Sequence, residues 1–292
     1  MAIMLRWSFR RSGKQVKNNM EYNISQIVTD QFSMKYLSFG NGRKKLVILP
    51  GLSVQSVTGF APSIINQYKC FTDDFTVYVF DRRSDPPDNY DIFHMAEDTV
   101  NAFTRLELSG IYLFGVSQGG MIALTIAATY PEMISRLSVS STVMRMDEKR
   151  FDVIRKWIEL AEKKNSTGLY LSIAKHIYPI DFFEQSKDAF AEIAKIVTDD
   201  ELANFVKLAN GIKGFDLTDK IAQIKCPVQL SYDEDDSVFV DDPASELKKQ
   251  LGSLAGFESK SFNGYGHALY DTAPGFAEWL FGFFEEEKVG IC

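Results

Sequence analysis

Ser117 lies in Gly115-Val116-Ser117-Gln118-Gly119-Gly120, with a glycine two residues before it and another two residues after it. A serine hydroxyl is a poor nucleophile at neutral pH. It needs an open position, a base within reach, and donors for the charge that forms on an attacked carbonyl oxygen. A sharp turn from strand to helix supplies the exposure, the glycines leave room for a strained backbone, and the helix N-terminus turns its free amides toward the forming charge. The pattern arises by chance in roughly one chain in ten of this length. Its weight here comes from the apolar runs on either side, Ile111 to Phe114 and Gln118 to Tyr130.

A base is the next requirement, and the chain has three histidines, His94, His176 and His267. His94 falls at the start of an expected surface helix and His176 inside a helical stretch. His267 sits in Asn263-Gly264-Tyr265-Gly266-His267-Ala268, directly after the last expected strand, and loops beyond the carboxyl ends of parallel strands are where such sheets carry their sites. The acid that orients an imidazole should also follow a strand. Val228 to Tyr232 runs straight into Asp233-Glu234-Asp235-Asp236, one of which should accept the imidazole N–H. Residue chemistry does not rank these four, and the one that serves must be held ionised by its own hydrogen bonds. A calcium loop fits poorly: counting from Asp233, Val238 takes the place of the required glycine and Ala244 that of the required glutamate.

These residues have to be placed by a sheet. Lys44 to Leu49, Phe75 to Phe80 and Ile111 to Phe114 are continuous apolar runs ending in turn residues, as strands buried on both faces are. Phe32 to Phe39, Arg136 to Ser140, Val228 to Tyr232 and Phe257 to Phe262 complete a mostly parallel sheet of seven or eight strands flanked by helices, an α/β architecture. Ile92 to Leu108 carries an apolar stripe at helical spacing, whereas Gln118 to Tyr130 is apolar all round and reads as a buried helix. From 144 to 219 the strand signal is lost. Four amphipathic stretches, near 147–163, 169–176, 182–197 and 199–210, predict a helical cap inserted into a core of residues 31–143 and 220–292.

Composition narrows the function classes. With 32 basic and 39 acidic residues in 292, the chain carries a net charge of −7, which argues against a dedicated nucleic-acid binder. No run of eighteen apolar residues suggests a membrane span. Cys70, Cys226 and Cys292 are odd in number, far apart and without C-x-x-C spacing, so neither a disulfide framework nor a zinc knuckle is expected, and a reducing, cytoplasmic setting fits. Residues 1–20 contain five basic residues and no acid. They read as a disordered leader, or as an over-long start upstream of a true initiator at Met20, and residues 1–30 as a flexible tail.

The order Ser117, an acid within 233–236, then His267 resembles that of the α/β-hydrolase superfamily, and the likeness runs from about Met34 to Glu286. Val47-Ile48-Leu49-Pro50-Gly51-Leu52 is similar to the family's strand followed by His-Gly-x, with Pro50 in place of the usual histidine. The resemblance assigns oxyanion-hole backbone N–H groups to Leu52 and Gln118. Phe80-Asp81-Arg82-Arg83-Ser84 resembles the family's Asp-x-Arg-Gly-x-Gly segment without its glycines, and Gly264-Tyr265-Gly266-His267 matches Gly-x-Gly-His. In the same alignment Asp233 takes a position usually held by glycine, and Asp236 falls on the acid, with Asp235 as the alternative. The resemblance therefore implies a serine hydrolase of a carboxylic ester, thioester or amide. It would act on a small-molecule acyl substrate through an acyl-enzyme, without metal or organic cofactor. Related enzymes use the same residues for C–C cleavage, lyase chemistry or acyl transfer, and a relative that only binds a ligand is the remaining alternative. Haloalkane dehalogenation is disfavoured, because those relatives carry Asp at the nucleophile position. In the cap, Trp157, Tyr170, Tyr178, Phe182, Phe183, Phe190 and Phe205 are expected mainly to pack the cap, the remainder lining an apolar pocket for a medium-chain or aromatic acyl group. The cap is also a candidate homodimer surface.

Overall fold

The computed structural model describes residues 21–286. Eight strands among them, β1 (Tyr22–Val28), β2 (Ser33–Phe39), β3 (Lys44–Leu49), β4 (Phe75–Arg83), β5 (Ile111–Val116), β6 (Ile134–Ser140), β7 (Val228–Tyr232) and β8 (Glu258–Ser261), form one sheet. Their spatial order is β1-β2-β4-β3-β5-β6-β7-β8. From β4 to β8 neighbouring strands run parallel, whereas β1 and β2 are antiparallel additions at one edge.

The continuous apolar runs find their explanation in the two faces of this sheet. In β3, Val47 and Leu49 pack into a cluster on one face while Leu46 and Ile48 pack into a second cluster on the other. In β5, Leu113 and Phe114 divide in the same way. Helices α1 (Ala61–Gln67), α2 (Ile92–Arg105) and α3 (Gln118–Thr129) follow β3, β4 and β5. Every residue of α3 from Gln118 to Ala128 is buried, which is why its sequence lacks a polar face.

Between β6 and β7 stand four helices: α4 (Asp152–Glu162), α5 (Ser166–Ile177), α6 (Ile180–Ala194) and α7 (Asp199–Asn210). The chain leaves and re-enters the sheet side by side at their base. Met146 N–H donates to the Phe215 carbonyl at 2.7 Å, and Leu217 N–H to that of Met144 at 2.9 Å. Helices α8 (Pro243–Leu251), α9 (Leu269–Thr272) and α10 (Phe276–Glu285) complete the described chain.

One boundary is corrected. Part of the expected flexible tail, Tyr22–Val28, is β1, paired with β2 from Tyr22 opposite Phe39 to Val28 opposite Ser33. It is an edge strand in which Ile27 is buried while Tyr22, Ile24 and Val28 are exposed, so its pattern carried little core signal. The expected leader, residues 1–20, lies outside the described residues. No helix among the described residues is long and apolar enough to cross a membrane.

Candidate active site

Ser117 is the single residue between β5 and α3, at φ 52° and ψ −119°. This is a positive-φ conformation that non-glycine residues adopt only where the surroundings enforce it, at a cost of about 1–3 kcal/mol. Its N–H donates to the Ser140 carbonyl at 3.0 Å, and its carbonyl accepts from Thr142 Oγ1 at 2.8 Å. The flanking glycines let helix and strand meet. A Cβ on Gly119 would lie 2.0 Å from the Leu49 carbonyl oxygen, and one on Gly115 would lie 2.5 Å from that of Gly119. The segment Pro50–Leu52 passes directly beside the serine, since a Cβ on Gly51 would stand 3.2 Å from Ser117 Cβ and 3.8 Å from its Oγ. Among the described residues Ser117 Oγ makes no hydrogen bond.

Asp236 and His267 leave the carboxyl ends of β7 and β8, on the same edge of the sheet as Ser117. His267 Nδ1 lies 2.7 Å from Asp236 Oδ2, and both side chains are largely withdrawn from solvent, at 5% and 9% exposure. Two backbone donors, Val238 N–H at 2.8 Å and Phe239 N–H at 3.2 Å, hold Asp236 Oδ1. The Phe239 ring stands edge-on to the imidazole, 5.2 Å between centroids. Asp235 is exposed, and its N–H donates to Asp233 Oδ1 at 2.8 Å.

Three further side chains complete the surroundings. Buried Asp233 joins the acid loop to the histidine loop: its Oδ2 accepts from Tyr265 N–H at 2.7 Å and Gly266 N–H at 2.9 Å. Arg82, at the end of β4, donates from Nη2 to the Pro50 carbonyl at 2.6 Å and from Nε to Gln118 Oε1 at 3.2 Å. Burial pulls its guanidinium down to about 10, so it remains a cation at neutral pH. Gln118 in turn donates from Nε2 to the Leu208 carbonyl in α7 at 2.8 Å. Helix α5 roofs the same edge. Tyr170 OH donates to Gln55 Oε1 at 2.9 Å, and Ser237 Oγ, next to Asp236, donates to the His176 carbonyl at 2.8 Å.

The profile of the alpha/beta hydrolase fold matches residues 46–274. The chain belongs to this family. Among curated members of the α/β hydrolase family it is similar to RutD of Rhizobium rhizogenes, named as a candidate carbamate hydrolase, at 26% identity over 66% of this chain and 75% of that protein. It is also similar to the human serine hydrolase BPHL, at 25% identity over 77% of this chain and 75% of that one. Among solved α/β hydrolase structures, MGS-M2 from a deep-sea metagenome library superposes with a TM-score of 0.80 at 22% identity, covering 91% of this chain and 99% of that one. The enol-lactonase of Burkholderia xenovorans LB400 does so at 0.76 and 19% identity, covering 90% and 100%.

Other residues singled out from the sequence fall away from this edge or support it. His94 is exposed beside Asp91, the N-cap of α2. His176 is held within α5, its Nδ1 lying 2.7 Å from the Ser172 carbonyl. Tyr178, Phe182, Phe183 and Phe190 cluster with Ala268, the neighbour of His267, so these cap aromatics pack the cap against the histidine loop of the α/β hydrolase core. A groove of about 850 Å³ opens between α7, the end of α4 and residues 88–91. It is lined by none of Ser117, Asp236 and His267 and is separate from this site.

Proposed function

We propose that this α/β hydrolase is a serine hydrolase of carboxylic esters, thioesters or amides, with Ser117 as nucleophile, His267 as base and Asp236 as the acid that orients it. Ser117 Oγ attacks the substrate carbonyl carbon while His267 Nε2 takes its proton. Asp236 Oδ2 accepts the Nδ1 proton and stabilises the imidazolium. The N–H groups of Leu52 and Gln118 receive the oxyanion. Collapse breaks the bond to the leaving alcohol, thiol or amine, which takes the proton back from His267. Water, deprotonated by the same imidazole, then releases the acid and restores the serine hydroxyl. The Ser117–His267 contact is completed in the substrate complex, since such hydrogen bonds are often long before substrate arrives.

The observation that carries this proposal is the 2.7 Å contact between His267 Nδ1 and Asp236 Oδ2, on the sheet edge where Ser117 holds its strained turn. It leaves Nε2 as the nitrogen to accept a proton. The same proposal gives the enzyme a small acyl substrate and a cytoplasmic setting, in keeping with Cys70 and Cys226 as free thiols. Labelling with a fluorophosphonate, read by intact mass, tests it. One adduct per wild-type chain, absent from Ser117→Ala and His267→Ala, is expected. A folded wild type that takes no label, or a Ser117→Ala protein that still does, would overturn the assignment.

A further inference from the structure

We infer that Arg82 and Gln118 act through their side chains as positioning residues, which hold the two oxyanion amides in register and make that register depend on the seat of cap helix α7. The inference rests on the serine hydrolase reading above. The two amides belong to separate segments, Leu52 after β3 and Gln118 at the start of α3. A developing oxyanion is stabilised only when both donors lie about 2.7–3.1 Å from it, so something must fix one segment against the other.

The Arg82 guanidinium is placed to do so. Nη2 holds the carbonyl of Pro50, two residues before Leu52, at 2.6 Å, and Nε holds the Gln118 side chain at 3.2 Å. A guanidinium is a rigid planar fork, so two bonds from one group set a distance between their acceptors. Among the described residues this guanidinium forms no ion pair, and its hydrogen bonds go to these two segments alone. The Asp81 carboxylate, next to it in the chain, acts on the guanidinium through its charge without a hydrogen bond or ion pair to it.

Gln118 carries the register to the cap. The side chain is wholly buried, and with Oε1 facing Arg82 its Nε2 reaches the Leu208 carbonyl at 2.8 Å. Leu208 lies in the last turn of α7, where carbonyls lack an intrahelical partner. Gly211 N–H bonds Lys207 and Ile212 N–H bonds Ala209. The carbonyl between them is left to Gln118. With both ends of the amide engaged by different segments, its orientation is fixed, and a displaced α7 would release the side chain whose own backbone N–H is an oxyanion donor.

The test compares Gln118→Leu, Gln118→Glu and Arg82→Lys with wild type in hydrolysis of p-nitrophenyl butyrate, in affinity for a phenylboronic acid that forms a tetrahedral serine adduct, and in thermal melting. Gln118→Leu breaks both bonds. Gln118→Glu keeps an acceptor for Arg82 but loses the donor to Leu208, and Arg82→Lys keeps the charge but not the fork. Each is expected to lower kcat about tenfold to a hundredfold, with KM within about threefold of wild type and boronate affinity falling alongside kcat. A purely structural role would lower the melting temperature without this split. Should Gln118→Leu fail to fold, Arg82→Lys and Gln118→Glu decide. Folded variants with kcat within twofold of wild type, or with a change in KM alone, overturn the inference. Turnover that survives in Ser117→Ala overturns the hydrolase reading itself and the inference with it. Turnover lost in Ser117→Ala but intact in folded Gln118 and Arg82 variants overturns the positioning role alone.

Discussion

The Asp233 carboxylate accepts the N–H of Gly266, the residue directly before His267, at 2.9 Å. It also accepts those of Tyr265 and Asp235, so one buried side chain ties the loop after β8 to the loop that bears Asp236. Asp233→Ala leaves three backbone N–H groups without their acceptor. A loss of about 2–4 kcal/mol of stability is expected, together with a fall in kcat of the folded fraction as His267 loses its fixed place. Urea unfolding alongside single-substrate kinetics checks both, and a variant as stable and active as wild type would contradict the role.

The contrast between two neighbouring acids separates the candidates for the orienting carboxylate. Asp236 touches the imidazole and Asp235 is exposed. Asp236→Asn should lower kcat by about three to four orders of magnitude, while Asp235→Asn stays within about twofold. Equal losses in the two variants would reject the assignment of Asp236.

At the base of the cap, Arg150 is almost wholly buried and forms a two-pronged pair with Glu246, at 3.0 Å to Oε2 and 2.7 Å to Oε1. The same guanidinium bonds the carbonyls of Val240 and Asp241, fastening the loop that follows Asp236 to the start of the cap. Hydrogen bonding to Arg150 holds the Glu246 carboxyl below its ordinary value near 4.5. A depressed folded value contributes stability that is fully present above 4.5 and is lost as pH falls through the folded value. Glu246→Gln should therefore cost about 1–3 kcal/mol at pH 7, and the gap to wild type should narrow in acid. Urea unfolding at pH 7, 5 and 3.5 measures it, and a gap that widens in acid would refute the pairing.

Gly119 and Gly59 give opposite expectations for the same substitution. A Cβ on Gly119 would meet the carbonyl oxygens of Leu49 and Pro50 at 2.0 and 2.4 Å, whereas one on Gly59 would meet nothing within 4 Å. Gly119→Ala should yield an unstable, inactive protein, and Gly59→Ala should change stability by less than about 1 kcal/mol. Comparable melting temperatures for the two variants would show that the turn at Ser117 is not packed as described.

The amino-acid sequence by itself determined the parts whose signals are local. The strand-to-helix turn at Ser117 is written in its glycines, the buried strands in continuous apolar runs, α3 in its lack of a polar face, and the candidacy of His267 in its place after the last strand. The edge strand β1 escaped because its stability comes from pairing with β2 rather than from a buried face of its own. The acid run 233–236 was visible, but its members are chemically alike, and a family resemblance was needed to favour Asp236. Only the tertiary structure decided that Asp236 meets the imidazole, that Asp233 turns inward to hold the histidine loop, and that Arg82 and Gln118 link two strands and the cap. The physical reason is range. Backbone propensity and burial period act over a few neighbouring residues, whereas these hydrogen bonds join residues from 31 to 90 positions apart, whose meeting depends on the order of strands in the sheet.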